Sequence, residues 1–159
     1  MAEEELARIT TSASRRVIGV VSMLGLGGLM LWMAFMTAGM ALGWKVVLIA
    51  LGAGALWAGQ VMWQATGHSL ILTEEALTDS DGTVVARLDE IEKVDRGMFA
   101  MKPSNGFIIL LKEPGSRVWR LGLWWRLGRR VAIGGVTAAS QTKPVADIMI
   151  HLLSQRNNG

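Results

Sequence analysis

Cysteine and tyrosine are absent from this chain of 159 residues, proline occurs only 3 times, and no charged residue falls between Val17 and Trp44. Without cysteine there is no disulfide framework and no thiolate metal site, a composition compatible with a reducing compartment. The gap in charge says more. It contains the apolar run Val17 to Thr37, and a second run from Val46 to Ala65 follows closely. Each supplies the roughly 20 apolar residues needed to cross a bilayer's hydrocarbon core. A buried hairpin in a soluble protein is the competing reading, and the length of the uncharged run disfavours it. The expected organisation is a leader over residues 1–16, a transmembrane helical hairpin over 17–66 and one small domain over 67–159.

No acid, Lys or Arg lies deep in either run, and Gln60 and Gln64 are their strongest polar groups, which excludes the charged pathway of a pump or channel. The leader is acidic (Glu3, Glu4, Glu5) and lacks a secretory signal's basic start, so an uncleaved anchor is expected. It makes a short amphipathic turn or stays disordered. Arg8, Arg15 and Arg16 precede the first run, whereas Lys45 alone marks the connecting turn, Thr37 to Lys45. Basic residues stay inside, so both termini are expected in the cytoplasm of a bacterial cell, with two spans in the inner membrane. Trp44 and Trp63, near the ends of the runs, suit the membrane interface. Gly52, Ala55 and Gly59 recur on one helical face and allow close packing, either on the first span or on another protein's helix, with intramolecular packing the plainer reading. The methionines of the spans are ordinary apolar filler rather than a copper relay.

Past Gly67 the periodicity shortens. Apolar runs at Ser69 to Thr73, Ala76 to Thr78, Thr83 to Leu88, Ile91 to Met98, Phe107 to Lys112, Arg117 to Leu123 and Arg130 to Ile133 read as strands. Asp81-Gly82, Asn105-Gly106 and Pro114-Gly115 are turn dipeptides that reverse an antiparallel pair. Phe107 to Leu111 is continuous rather than alternating, as in a central strand covered on both faces. Val145, Ile148, Met149, Leu152 and Leu153 lie at helical spacing after Thr142, a candidate N-cap, with Pro144 in the first turn. The fold class is thus a membrane α-hairpin followed by a mainly-β, α+β domain: antiparallel sheets capped by one C-terminal helix.

That order, with Leu72-Thr73-Glu74-Glu75-Ala76-Leu77, Asp81-Gly82-Thr83 and Leu88-Asp89-Glu90-Ile91-Glu92-Lys93-Val94, resembles the bacterial pleckstrin-homology-like (PH-like) domain of uncharacterised membrane proteins. The resemblance covers about residues 68 to 155. It implies bent sheets capped by a helix, and binding or assembly rather than a reaction. Eukaryotic domains of this fold that hold phosphoinositides place basic residues in the first hairpin loop. Here that loop carries Asp79, Ser80 and Asp81, which does not support inositol-phosphate recognition there.

Charge is divided along the domain. Between Thr66 and Ser116 nine acids face five bases, whereas from Arg117 to the end seven bases face Asp147 alone. Such uneven placement gives little support for a nucleic-acid partner. The stretch Arg117 to Gly135 concentrates the positive field and holds Arg117, Trp119, Arg120, Trp124, Trp125, Arg126, Arg129 and Arg130, the candidate interaction surface. Arg with Trp suits anionic headgroups or an acidic partner protein. The opposing reading sends Trp124, Trp125 or both to the core and leaves the arginines to guard an edge strand.

No catalytic signature accompanies this. Gly128 and Gly134-Gly135 lack a P-loop's Lys-Ser/Thr ending and read as turn glycines. His68 and His151 are far apart and without a paired ligand, and Glu74-Glu75 and Asp89-Glu90 lack a nearby nucleophile. No enzyme, cofactor or metal is expected. The sequence points instead to a membrane-anchored interaction module, an accessory or assembly subunit of an inner-membrane complex, with a peripheral sensor of anionic lipid headgroups as the alternative. Its expected partners are membrane lipids and another membrane protein or a second copy.

Overall fold

In the computed structural model, residues 4–97 and 103–159 are described, and they form two compact units: Ala13–Gln64, and Met1–Ser12 with Ala65–Gly159. The first holds helices α1 (Ala13–Met36) and α2 (Leu42–Ala65), each of 24 residues. At 1.5 Å per residue each is about 36 Å long, enough for a hydrocarbon core of about 30 Å. Both are long and apolar enough to cross a membrane.

The hairpin's seam follows a seven-residue step, the spacing that holds two helices side by side. Val20, Gly27 and Ala34 are the buried residues of α1, and Gly52 and Gly59 answer on α2. A Cβ on Gly27 would lie 2.8 Å from the Gly52 carbonyl oxygen, and one on Gly52 3.0 Å from that of Gly27. Here the backbones themselves are in contact. The small-residue face of the second span therefore packs inside the hairpin. At the open end the Arg16 guanidinium lies 4.0 Å from the Trp63 ring centroid and donates to the Trp63 carbonyl at 2.9 Å, near the C-terminus of α2.

The second unit begins before the hairpin. The leader segment Ala7–Ile9 is strand β1, where a helical turn or disorder was expected, and it pairs antiparallel with β2 (Leu70–Leu72). Its Ile9 is fully buried, and that burial supplies the force the leader's composition concealed. β3 (Ala76–Asp79) and β4 (Val84–Arg87) complete a sheet in the order β1-β2-β3-β4. A 3-10 turn, Leu88–Glu90, leads to β5 (Ile91–Asp95), then β6 (Phe107–Leu111), β7 (Val118–Arg120), β8 (Trp124–Leu127) and β9 (Arg130–Ile133), ordered β5-β6-β9-β8-β7. Met98, where the fourth run was expected to end, lies outside the described residues.

The expected strand Arg117 to Leu123 is in fact β7 and a reversal. Gly122 takes φ +87, so the chain turns there and Trp124–Leu127 becomes a strand of its own. β6 is internal, between β5 and β9, as its continuous apolar run requires. Helix α3 (Ala139–Asn157) starts three residues before the expected cap. Thr142 instead donates its hydroxyl to the Asn105 carbonyl at 2.5 Å, and the Gln141 side chain accepts from the Thr10 N–H at 2.7 Å. Val145, Ala146 and Met149 of α3 are buried in the same core as Phe107, Ile109, Leu70 and Leu72, and α3 packs against β1 and β5.

The seam generates a paired test. Gly27→Ile destabilises the hairpin by about 1–3 kcal/mol through overpacking, read as easier unfolding in mixed micelles. Gly28→Ile, where an added Cβ meets nothing within 4 Å, leaves it unchanged.

Candidate functional site

The stretch expected to act as one surface is divided by strand alternation into an inward and an outward set. Trp124 is 1% exposed and belongs to the core, which corrects its place in the interaction surface. Its indole Nε1 donates to Asp79 Oδ2 at 3.0 Å. Asp79, at the end of β3, is itself only 2% exposed, and its other oxygen lies 3.2 Å from His68 Nδ1. Arg120 approaches from β7, its Nε 4.0 Å from Asp79 and its Nη2 donating to Asp81 Oδ2 at 2.6 Å. A buried carboxylate, an indole, an imidazole and a guanidinium thus form one polar knot between the two sheets.

The atoms of His68, Asp79 and Asp81 able to ligate a metal lie within 4.8 Å of one another. Arg120 already brings positive charge to both carboxylates, and the Thr83 N–H occupies the second Asp81 oxygen at 2.9 Å. The donor set therefore fits an internal ion network better than a cation site. Hydrogen bonds from Thr83, hydroxyl first and backbone N–H next, hold the Asp81 carboxyl below its ordinary 3.8, while partial burial opposes them and the Arg120 charge adds a smaller part. His68 carried no signal as a single residue. Only the β2–β3 register, which sets Leu70 opposite Asp79, brings it alongside the turn.

Arg126 fastens the other end of the same hairpin. It donates through Nη1 to the carbonyls of Val84 at 3.2 Å and Val85 at 3.1 Å on β4, through Nε to the Ser116 carbonyl at 2.6 Å, and through Nη2 to the Ser116 hydroxyl at 2.7 Å. Its guanidinium also lies 5.9 Å from the Trp124 ring. Arg129 donates to the Leu111 carbonyl at 2.8 Å and pairs with Glu92. Arg120, Arg126 and Arg129 are hence engaged within the domain. An open cleft of about 500 Å³ beside Arg126 is lined by Arg87, Asp89, Glu90 and Lys112. Arg87 pairs with Asp89, whose carbonyl accepts from Lys112 Nζ at 2.8 Å. The His151 ring meets Gln155, one helical turn away, and its carbonyl accepts from the Ser154 hydroxyl at 2.7 Å.

The outward set differs. Trp119 and Trp125 are directly opposite on β7 and β8, their rings stacked at 6.0 Å and 15°. Trp119 is 57% exposed and Leu127, on the same face, 52%. Arg130 opposes Leu127 and Leu110, Lys93 opposes Leu110, and alternation places Arg117 beside Trp119. Arg117, Arg130 and Lys93 are exposed and form no ion pair among the described residues. Of the eight nominated residues, Arg117, Trp119, Trp125 and Arg130 make this face. Leu127 and Lys93 join them, invisible in the sequence because the strand β8 itself was.

Trp124→Phe leaves Asp79 without a buried donor and lowers domain stability by about 1–3 kcal/mol, measured by denaturant unfolding followed on the domain's circular dichroism. Trp119→Phe, on the exposed face, has less than half that effect. For Asp81 the folded pKa lies below the unfolded one, so its stabilisation is complete above the ordinary carboxylate range and is lost as pH falls through the folded value. Asp81→Asn is therefore less stable than the native chain at neutral pH, and the difference closes in acid.

No protein-family model matches the chain, and neither a curated protein nor a solved structure matches it. The functional reading rests on the geometry just described.

Proposed function

We propose that this protein is a non-enzymatic, membrane-anchored interaction module, an accessory or assembly subunit of a bacterial inner-membrane complex, with a PH-like domain carried on a two-span anchor. The observation that carries the reading is how the domain uses its chemistry. Its strongest polar groups, Asp79, Asp81, Arg120 and Arg126, are engaged in joining the two sheets, and what remains exposed is contact surface rather than a nucleophile and its base.

The four-stranded and five-stranded antiparallel sheets with one closing helix support the PH-like reading. Pairing of β1 with β2 supports a common side for both ends of the hairpin, because one sheet contains the chain before the first span and after the second. Arg8, Arg15 and Arg16 favour the cytoplasm for that side. Within the membrane the partner is another protein's helix. A flank of α2 turned away from the Gly52 and Gly59 seam carries Ala53, Trp57, Gln60 and Gln64, all exposed. Amides there gain from hydrogen bonds across helices, since hydrocarbon offers none.

The test is the size of the native assembly after extraction of the full-length protein in mild detergent. Migration in a large, defined complex is expected, with Gln60→Leu and Gln64→Leu each weakening retention about threefold. Migration of the native chain alone would overturn the accessory-subunit reading.

A further inference from the structure

Three exposed cations share one sheet face with an exposed tryptophan pair and call for a counterpart. On the outward face of the five-stranded sheet, Trp119 and Trp125 stack at 6.0 Å on β7 and β8 and Leu127 extends the apolar strip, while Arg130 on β9, Lys93 on the far edge strand β5 and Arg117 just before β7 form no ion pair among the described residues. Asp95 is the acid on this face by register, opposite Ile108, and its Oδ1 accepts from the Gly97 N–H at 2.7 Å. The face is consequently aromatic towards its β7 edge and basic on the central strand β9 and the far edge strand β5.

We propose that this face docks on an anionic membrane surface, with Leu127, Trp119 and Trp125 at the headgroup boundary and Arg117, Arg130 and Lys93 on the lipid phosphates. The inference rests on α1 and α2 being spans, and it concerns lipid rather than the protein partner of the preceding reading. It also uses a surface separate from the β3–β4 turn, whose Asp79 and Asp81 repel anions. Charge complementarity selects the occupant. Indole rings settle at the polar boundary of a bilayer. A basic residue near an anionic leaflet gains about 1 kcal/mol, whereas lysine is depleted from protein interfaces.

Connectivity makes the contact nearly unimolecular. Residues 66–69 separate α2 from β2, a reach of at most about 14 Å. The domain thus stays near the leaflet whether docked or free, and only the choice of face is left to chemistry.

The absence of cysteine from the chain allows a clean test. Full-length protein carrying Leu127→Cys, labelled with an environment-sensitive fluorophore, is placed in nanodiscs of phosphatidylcholine alone or with one third phosphatidylglycerol. Glu74→Cys, on an exposed turn beyond the face, serves as the reference position. The expected result is a blue shift and quenching by doxyl-labelled lipid at position 127 alone, only with phosphatidylglycerol, reversed by high salt. Arg117→Gln, Arg130→Gln and Lys93→Gln each lower the docked-to-free ratio about fivefold.

The proposal is overturned if the label stays wet in both compositions, or if it is equally buried without anionic lipid. It is equally overturned if position 127 is shielded in native membranes but not in nanodiscs, which would assign the face to a protein. Failure of the protein to enter the disc removes the span reading on which it rests. Loss of the native complex alone would leave the lipid result intact.

Discussion

A carboxylate withdrawn from water must be answered by a donor or by opposite charge, and Asp79 has both. The Trp124 indole donates to it from the second sheet, the Arg120 guanidinium lies 4.0 Å away as a charge, and His68 Nδ1, on the chain entering the first sheet, lies 3.2 Å from its other oxygen. In a low-dielectric interior each such partner is worth more than in water, and each vacancy costs more. The position of the β7–β8 hairpin against the first sheet follows from this. Asp79 and Asp81 hold one end through Trp124 and Arg120, and Arg126 holds the other by spanning to the β4 carbonyls. With two polar fasteners on the inward side, alternation leaves Trp119, Trp125 and Leu127 no place but outside.

Patterns carried by consecutive residues were legible in the sequence, and patterns carried by register were not. The two spans, the internal strand Phe107–Leu111 and the apolar stripe of α3 each declare themselves within one short window. β1 did not, because three residues, Ala7 to Ile9, become a strand only through a partner about sixty positions away. β8 was hidden because Arg117 to Leu123 reads as one strand unless Gly122 is recognised as the reversal. The candidate surface shared that blindness. Composition located the arginines and tryptophans, but only the reversal decides which side of the sheet each occupies, sending Trp124 inward and Trp125 outward.

The glycines of the spans show a related economy. Gly27 and Gly52 allow backbone contact at the middle of the helix pair, where the surrounding turns carry no charge and the Arg16–Trp63 contact is confined to the open end. In a bilayer, hydrocarbon would solvate leucine as well as a neighbouring helix does, so close approach and dispersion would there replace the hydrophobic effect as the cohesive force. That keeps the seam inside the hairpin and frees the opposite face of α2 for other contacts.

β1 also imposes an order on biogenesis. Ile9 is synthesised first among the core residues, yet its neighbours in the sheet, Leu70 and Leu72, follow only after both spans have been made. At ordinary rates of about 5–20 residues per second, the strand waits roughly 3–12 s for a partner. If α1 and α2 are spans, as proposed, the hairpin inserts during that interval. Insertion of one span only would put the strand and its sheet on opposite sides of the bilayer and leave the Ile9 site empty. Completion of the four-stranded sheet would then act as a proofreading step on the threading of that proposed anchor.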